Sequence, residues 1–459
     1  MPRVVLKKLN AKKGNRKTGT IKVGKIMLLM AMLFVGLVIV GMHVQYKMVL
    51  NKALSLSSTL SEPGKIAVSV PQAAPQQQQE QSSKLSSTSQ SVPQIHNNHA
   101  AANKHPRFVT VLMPSVVNEK GVGKRLKAIH ETWGPAANVI FVVSVKSLPL
   151  VQDDYPEVAS LPVVPADSST AVSYPQVLWL PEHLSENDMP RLQYVISNIF
   201  QMVHPEFAFF ANDHTFVIPE HLCAFLQGRD PLHFLYAGHA LQTNQYVFNS
   251  GAAGYFLSWS TMRRMTEVWS PHHHHTPHCA VVSPETNMAA LSQHERFMQQ
   301  SPGLFLSDCL LEGLDVHAMD TRYGPQHRFH AFGLVAVVSG KWDAWYAQKH
   351  TQEAAHFIDA DPSYATVPIG EDCCAPTTAT FHYVEDLECR ALYKVRQLLL
   401  SQDIVSDEEL QRTMISVWPK NPNELGRSKP LPDADNKEDW EPLLETIRKI
   451  SKKDTGVTC

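Results

Sequence analysis

The sequence predicts an α/β fold around a mostly parallel sheet, and three observations predict it. Between residues 107 and 402, short uninterrupted apolar runs alternate with segments patterned as amphipathic helices, which is the order that builds βαβ units. One of those runs, FAFFA at 207–211, ends directly in Asn212, Asp213 and His214, at the strand end where sheets of this class bind ligands. With 459 residues, 44% hydrophobic and 18% charged, the chain can also bury a large core. These totals exclude wholesale disorder, a coiled-coil or collagen rod and a small disulfide scaffold.

The N-terminal part is organised differently. Residues 1–25 form a basic arm with nine positive charges, and no acidic residue precedes Glu62, so the rest of the chain carries a net −11 within an overall −2. That balance argues against an avid nucleic-acid binder, and no nucleic-acid partner is expected. Residues 26–44 follow as the expected membrane span, beginning with seventeen residues, IMLLMAMLFVGLVIVGM, without charge or proline. At 1.5 Å per residue, with its flanks, this helix just crosses a hydrocarbon core of about 30 Å. A cleavable signal peptide is the competing reading, but the apolar run exceeds a signal peptide's usual length and no small-x-small site follows it. The positive-inside rule then gives a type II topology with a luminal C-terminal part. A short span points to endoplasmic reticulum or Golgi membranes over the thicker plasma membrane. Residues 45–106, rich in Ser, Gln, Pro and Ala, are expected to be a disordered stem.

Within 107–402 the elements can be taken in order. FVTVLM at 108–113 reads as a buried strand, 123–133 as a helix, and VIFVVSV at 139–145 as a second strand. A strong helix follows: Asp188 is placed to cap it, Pro190 suits its first turn, and Leu192, Val195, Ile196, Ile199, Phe200 and Val203 share one face. Pro205 closes that helix, and 207–211 forms the next strand. Residues 403–459 read as a polar C-terminal extension, peripheral from about Lys420. All seven Cys lie after the span, on the side where disulfides form, and an odd count leaves at least one without an intramolecular partner. No Cys-x-x-Cys and no N-glycosylation sequon occurs. The His272 to His275 run in PHHHHTPHC reads as a solvated loop, with metal binding as the alternative.

FFANDHTFVIPEHL at 209–222 resembles the Ala-Asp-Asp-Asp-Thr-Tyr-Val nucleotide-sugar motif of the β1,3-glycosyltransferases. Further stretches follow in the family's order: ETWG at 131–134, NSGAAGYFLS at 249–258, MDTR at 319–322 with RFHAF at 328–332, and EDCCAPTTATFHYV at 371–384. The chain is thereby similar to the core 1 β1,3-galactosyltransferases and their non-catalytic sister, the core 1 synthase chaperone. The resemblance implies a GT-A-type nucleotide-sugar transferase fold, as a single luminal domain on a type II membrane anchor. It implies transfer of galactose from UDP-galactose, with inversion, to an O-linked N-acetylgalactosamine on a glycoprotein acceptor, with Mn2+ bridging the diphosphate and a carboxylate as base. It also implies association with a homologue, in a homo- or hetero-oligomer.

Carried over residue by residue, the resemblance places Asp213, His214 and His330 at the metal, with His214 merely filling space at the strand end as the alternative, and Asn212, Ser250, Gly251 and Arg322 around the donor. Trp342, Trp345 and Tyr346 would lie along the acceptor, with core packing as the alternative, and Cys279 would bond Cys309. Cys373 and Cys374 would each bond a separate partner. The family's outer two aspartates are Asn212 and His214 here, and its Glu-Asp base pair is Pro302 and Gly303. Asp308 is the candidate replacement base, with a solvated helix carboxylate as the plainer reading. Ala252 replaces a glycine of the Ser-Gly-Gly motif. The leading expectation at this point is an active transferase, with a pseudoenzyme acting as a luminal chaperone or partner as the alternative.

Overall fold

The computed structural model describes residues 107–114, 120–164, 173–184, 188–243, 246–270, 277–281, 302–341, 368–402, 404–421 and 424–452. The basic arm, the expected span, the stem, the His272 to His275 run and the trio Trp342, Trp345 and Tyr346 lie outside the described residues. Among the described residues no helix is long and apolar enough to cross a membrane.

The first strand, β1 (Phe108–Leu112), is buried at every position, as are β2 (Val139–Ser144) and β4 (Phe207–Ala211). Strands apolar on both faces need helices above and below. On one side lie α1 (Val122–Glu131) and α2 (Leu148–Asp154), and β3 (Gln176–Leu180) follows them in the chain. On the other side lies α3 (Asp188–Asn198), which continues as a π-helical turn, Ile199–Val203, and ends on His204 in the left-handed region, one residue before Pro205. The long helix expected there forms, with its last turn widened.

After β4 come β5 (Phe216–Val217), α4 (Pro219–Leu226), β6 (Tyr236–Gly238), β7 (Ala240–Thr243), β8 (Tyr246–Asn249), β9 (Tyr255–Ser258) and α5 (Trp259–Val268). Then follow α6 (Pro302–Asp308), β10 (Ala318–Met319), α7 (Leu334–Ser339), β11 (Thr380–Phe381), α8 (Asp386–Ser401), α9 (Asp407–Val417) and α10 (Lys437–Ser451). The main sheet has seven strands in the order β10-β6-β9-β4-β1-β2-β3. All its pairings are parallel except those of β9 with β4 and β6. The chain leaves β1 toward β2 and β3, then returns to place β4 on β1's other side, in register from Phe108 with Phe207 to Leu112 with Ala211. That reversal is a topological switch point, whose crevice opens beyond the strand C-termini. The coarse expectation of an α/β fold with a mostly parallel sheet is met.

Each face of the sheet has its own core. One gathers Phe108, Phe141, Phe209, Phe225, Phe256 and Phe329, and Trp133 of the ETWG stretch. The other is built on Val109, Ile140, Phe210 and the apolar face of α3. The C-terminal segment corrects the sequence expectation. In α10, Trp440, Leu443, Leu444, Ile447 and Ile450 are all buried in the first core, together with Leu410 and Met414 of α9. The average polarity of this segment hid an amphipathic helix whose apolar residues, at i, i+3, i+4, i+7 and i+10, form one stripe.

Gly254 shows how tightly β9 enters the sheet. Its φ is +84°, and a Cβ there would lie 2.3 Å from Phe209 Cζ. Gly254→Ala should therefore lower unfolding free energy by at least about 2 kcal/mol, from backbone strain and overpacking together. A urea midpoint within error of the wild type would contradict this account.

Cys279 and Cys309 are joined, with an S–S distance of 1.97 Å, and Cys223 is also disulfide-bonded. Cys373 and Cys374 correct the expectation of separate partners, because they are bonded to each other. Both are buried, at 1% and 0% exposure, and the free thiol Cys389 is buried elsewhere in the same core, so each turns to its neighbour. Burial pushes the Cys389 thiol up to about 12, which leaves it protonated and unreactive at neutral pH.

Candidate functional site

The switch point brings together the end of β4, the turn between β8 and β9, and the segment after β11. Asn212 begins the turn after β4. Its Oδ1 accepts hydrogen bonds from the His214 backbone N–H at 3.0 Å and the Thr215 hydroxyl at 3.1 Å. This is a side chain folding its own turn, which Asn and Asp do equally well. The Thr215 hydroxyl also lies 3.0 Å from the carbonyl of Ala252. The strand-end turn and the NSGAAG turn, with Ser250 and Gly251, are thus adjacent. Gly251 is exposed, with open space where a Cβ would stand. The Val384 N–H donates to the His214 carbonyl at 2.9 Å, which fixes the FHYV segment against the same turn.

The charges of the site are engaged with one another. Asp213 is completely buried, and its Oδ2 receives both Nε and Nη2 of Arg125, each at 2.7 Å. Nη1 of Arg125 lies 3.5 Å from Glu385 Oε2, and Glu385 Oε1 lies 3.2 Å from His214 Nδ1. The chain Asp213–Arg125–Glu385–His214 therefore alternates sign and sums to zero when His214 is protonated. Burial works against charge on His214, yet Glu385 and Asp213 outweigh it and raise its pKa above the ordinary histidine value. Burial likewise works against charge on Glu385, and His214 and Arg125 outweigh it, lowering that pKa.

The other predicted residues are placed as follows. His330 is 2% exposed, and its ring stacks on Phe381 with centroids 4.9 Å apart. Its Nε2 faces the Thr378 hydroxyl at 3.4 Å, and burial pushes its pKa down to about 3, so it is neutral. His382, buried between His214 and Tyr383, is also held well below its ordinary pKa, by burial and then by the charges of His214 and Arg427. Arg322 forks onto Asp320, with Nε at 3.0 Å and Nη2 at 2.9 Å.

Asp308 ends α6, and its Oδ2 meets His278 Nδ1 at 3.0 Å beside the Cys279–Cys309 bond. The residue of α6 that approaches the β8–β9 turn is instead Gly303, whose added Cβ would stand 3.6 Å from the Asn249 carbonyl. The resemblance puts its base pair at Pro302 and Gly303, of which Gly303 lies against the end of β8, and Asp308 lies at the other end of the helix against His278.

The donor set does not fit a manganese site. A divalent ion of this kind needs several free oxygen or imidazole ligands converging on one point. Asp213, an expected ligand, gives its carboxylate to Arg125, and His330 packs on an aromatic ring. Among the described residues no group of three or more His, Cys, Asp or Glu side chains is arranged to hold a metal. Sequence reasoning missed Arg125 and Glu385. Arg125 left a signal, because it falls among Val122, Leu126 and Ile129 on the buried face of α1, where an unpaired charge is costly. Glu385 left none, since it simply follows the FHYV stretch. No known protein family matches the chain, and no curated protein matches it.

Proposed function

We propose that this protein is a membrane-anchored luminal member of the core 1 β1,3-galactosyltransferase group that has given up metal-dependent transfer and acts as a chaperone or partner of an active galactosyltransferase. The observation that carries this reading is the buried Arg125–Asp213 pair, joined through Glu385 to His214, at the strand end where the resemblance places the metal and the diphosphate. A diphosphate leaving group needs uncompensated positive charge in the transition state. Here Arg125 and His214 already have their carboxylates. The loss of both base carboxylates, as Pro302 and Gly303, supports the same conclusion. The localisation that goes with it is a Golgi or endoplasmic reticulum membrane, with the anchor in residues 26–44.

A metal-independent transferase using UDP-galactose and an O-linked N-acetylgalactosamine acceptor is the second reading. It is favoured by the Thr215–Ala252 hydrogen bond, which sets the two donor-type turns side by side.

One experiment separates the two. A ligand that binds only the folded state at about 100 times its Kd adds about 2.7 kcal/mol, a shift of several degrees in melting temperature. The detergent-solubilised full chain should show no such shift with millimolar UDP, with or without Mn2+. It should release no UDP from UDP-galactose on a GalNAc glycopeptide, and it should raise the recovery of an active homologue refolded in its presence. A clear shift together with UDP release would establish the transferase instead.

A further inference from the structure

A second constellation lies at the open edge of the sheet. Arg229 follows α4, and its Nη1 reaches the sulfur of Met319 in edge strand β10 at 3.4 Å. Strands β6 and β9 separate β10 from β4, so this edge is roughly 14 Å from the strand that ends in Asn212. The guanidinium of Arg229 stands over the Phe225 ring at 4.2 Å from its centroid. Arg328 stands over the same ring at 5.9 Å, and over Tyr323 at 5.6 Å. Phe225 itself is fixed, stacked on Phe256 and edge-on to Phe329 in the core. Two cations thus share one rigid aromatic platform, with the half-exposed Tyr323 as its rim.

Neither cation has a carboxylate partner among the described residues. Arg229 donates Nε to the Phe225 carbonyl at 2.8 Å, at the C-terminal end of α4, where a positive charge is favoured. Arg328 has no such compensation, and its buried Nε has no hydrogen-bond partner among the described residues. The nearest acid in sequence, Asp230, is turned away, accepting from the Leu232 N–H and pairing with His233. Asp320 is taken by Arg322. Burial lowers the pKa of both arginines, and the charge of Arg229 adds to the effect on Arg328. Two half-buried guanidinium groups without a counter-charge repel each other and lose hydration. An oxyanion accepting from the terminal nitrogens, Nη2 of Arg229 and the Nη pair of Arg328, would relieve both costs.

We propose that Arg229 and Arg328, on the Phe225 platform, form an anion site for a phosphate, sulfate or carboxylate group. The site is independent of the switch-point crevice and of the function proposed above. The test is the melting temperature of the full chain with millimolar sodium sulfate, sodium phosphate or sodium acetate, each against sodium chloride at matched ionic strength. Sulfate or phosphate is expected to raise it by several degrees, and a larger effect of acetate would identify a carboxylate as the ligand instead. Arg328→Gln, which removes no side-chain hydrogen bond among the described residues, should weaken the effect at least about tenfold in apparent affinity. Arg229→Gln should do the same, at some cost to the last turn of α4. Arg328→Lys, keeping the charge without the fork, should fall between. If none of the three salts exceeds chloride, or if Arg328→Gln responds as the wild type does, the site does not exist.

Discussion

Replacing Arg125 by methionine should lower the unfolding free energy by about 3–5 kcal/mol, the cost of stranding a buried charge by removing its partner. The side chain left behind is Asp213, which has no exposed surface and holds Nε and Nη2 of the guanidinium at 2.7 Å each. Methionine fills similar volume, so the loss reports on charge and not on packing. The double variant Arg125→Met/Asp213→Leu should recover most of it, since removing both members of a buried pair is often neutral. Urea unfolding of the four chains of this cycle measures the coupling directly. A single Arg125→Met variant within about 1 kcal/mol of the wild type would mean that Asp213 is not held as described, and would remove the main support for an inactive site. UDP binding appearing in that variant would show the opposite, that the arginine is what keeps a donor out.

The second large effect concerns pH. Glu388 lies in α8 with no exposed surface. One of its oxygens accepts from the Ser428 hydroxyl at 2.8 Å, and the other has no partner among the described residues. Burial pushes its carboxyl up to about 8, from an ordinary 4.5, with the charge of Glu385 as a further cause. Below pH 4.5 both folded and unfolded chains hold the proton, and the group has no effect. Between pH 4.5 and 8 the unfolded chain has released it while the folded chain still holds it. Each rising pH unit therefore costs about 1.4 kcal/mol of stability, and the loss levels off above the folded value. Glu388→Gln removes this titration. The stability difference between variant and wild type should grow in favour of the variant by several kcal/mol from pH 4.5 to pH 8. The difference isolates Glu388, because His214, His330 and His382 titrate equally in both chains. A difference that stays flat with pH would show that the carboxyl is solvated or ionised in the folded state.

Much of the fold was legible because the signals were local. The runs at 108–113, 139–145 and 207–211 became β1, β2 and β4, since an unbroken apolar stretch bounded by polar residues has few other uses. The amphipathic stripe from Leu192 to Val203 formed its helix for the same reason, although periodicity gave no hint of the π-helical turn at its end. The stretch after residue 402 was misjudged on average composition, although its stripe of Trp440, Leu443, Leu444, Ile447 and Ile450 was there to be read. The strand-end placement of the candidate residues was legible, and their bonding was not. Asn212, Asp213 and His214 stand at the end of β4, where the apolar run before them puts them, and folding sets the turn with Ser250 and Gly251 beside them. What Asp213 and His214 are bonded to depends on residues far away in the chain.

The sequence by itself determined the order of the main strands and helices and the place of Asn212, Asp213 and His214 at a strand end. These follow from side-chain periodicity and residue identity, which act over a few neighbouring positions. Only the tertiary structure decided that Arg125 closes on Asp213 across 88 residues and on Glu385 across 260. It likewise decided that Cys373 and Cys374 bond each other, and that Arg229 and Arg328 meet over one ring. The reason is physical: burial sets what a charge or a thiol costs, and folding brings together the distant groups that answer that cost.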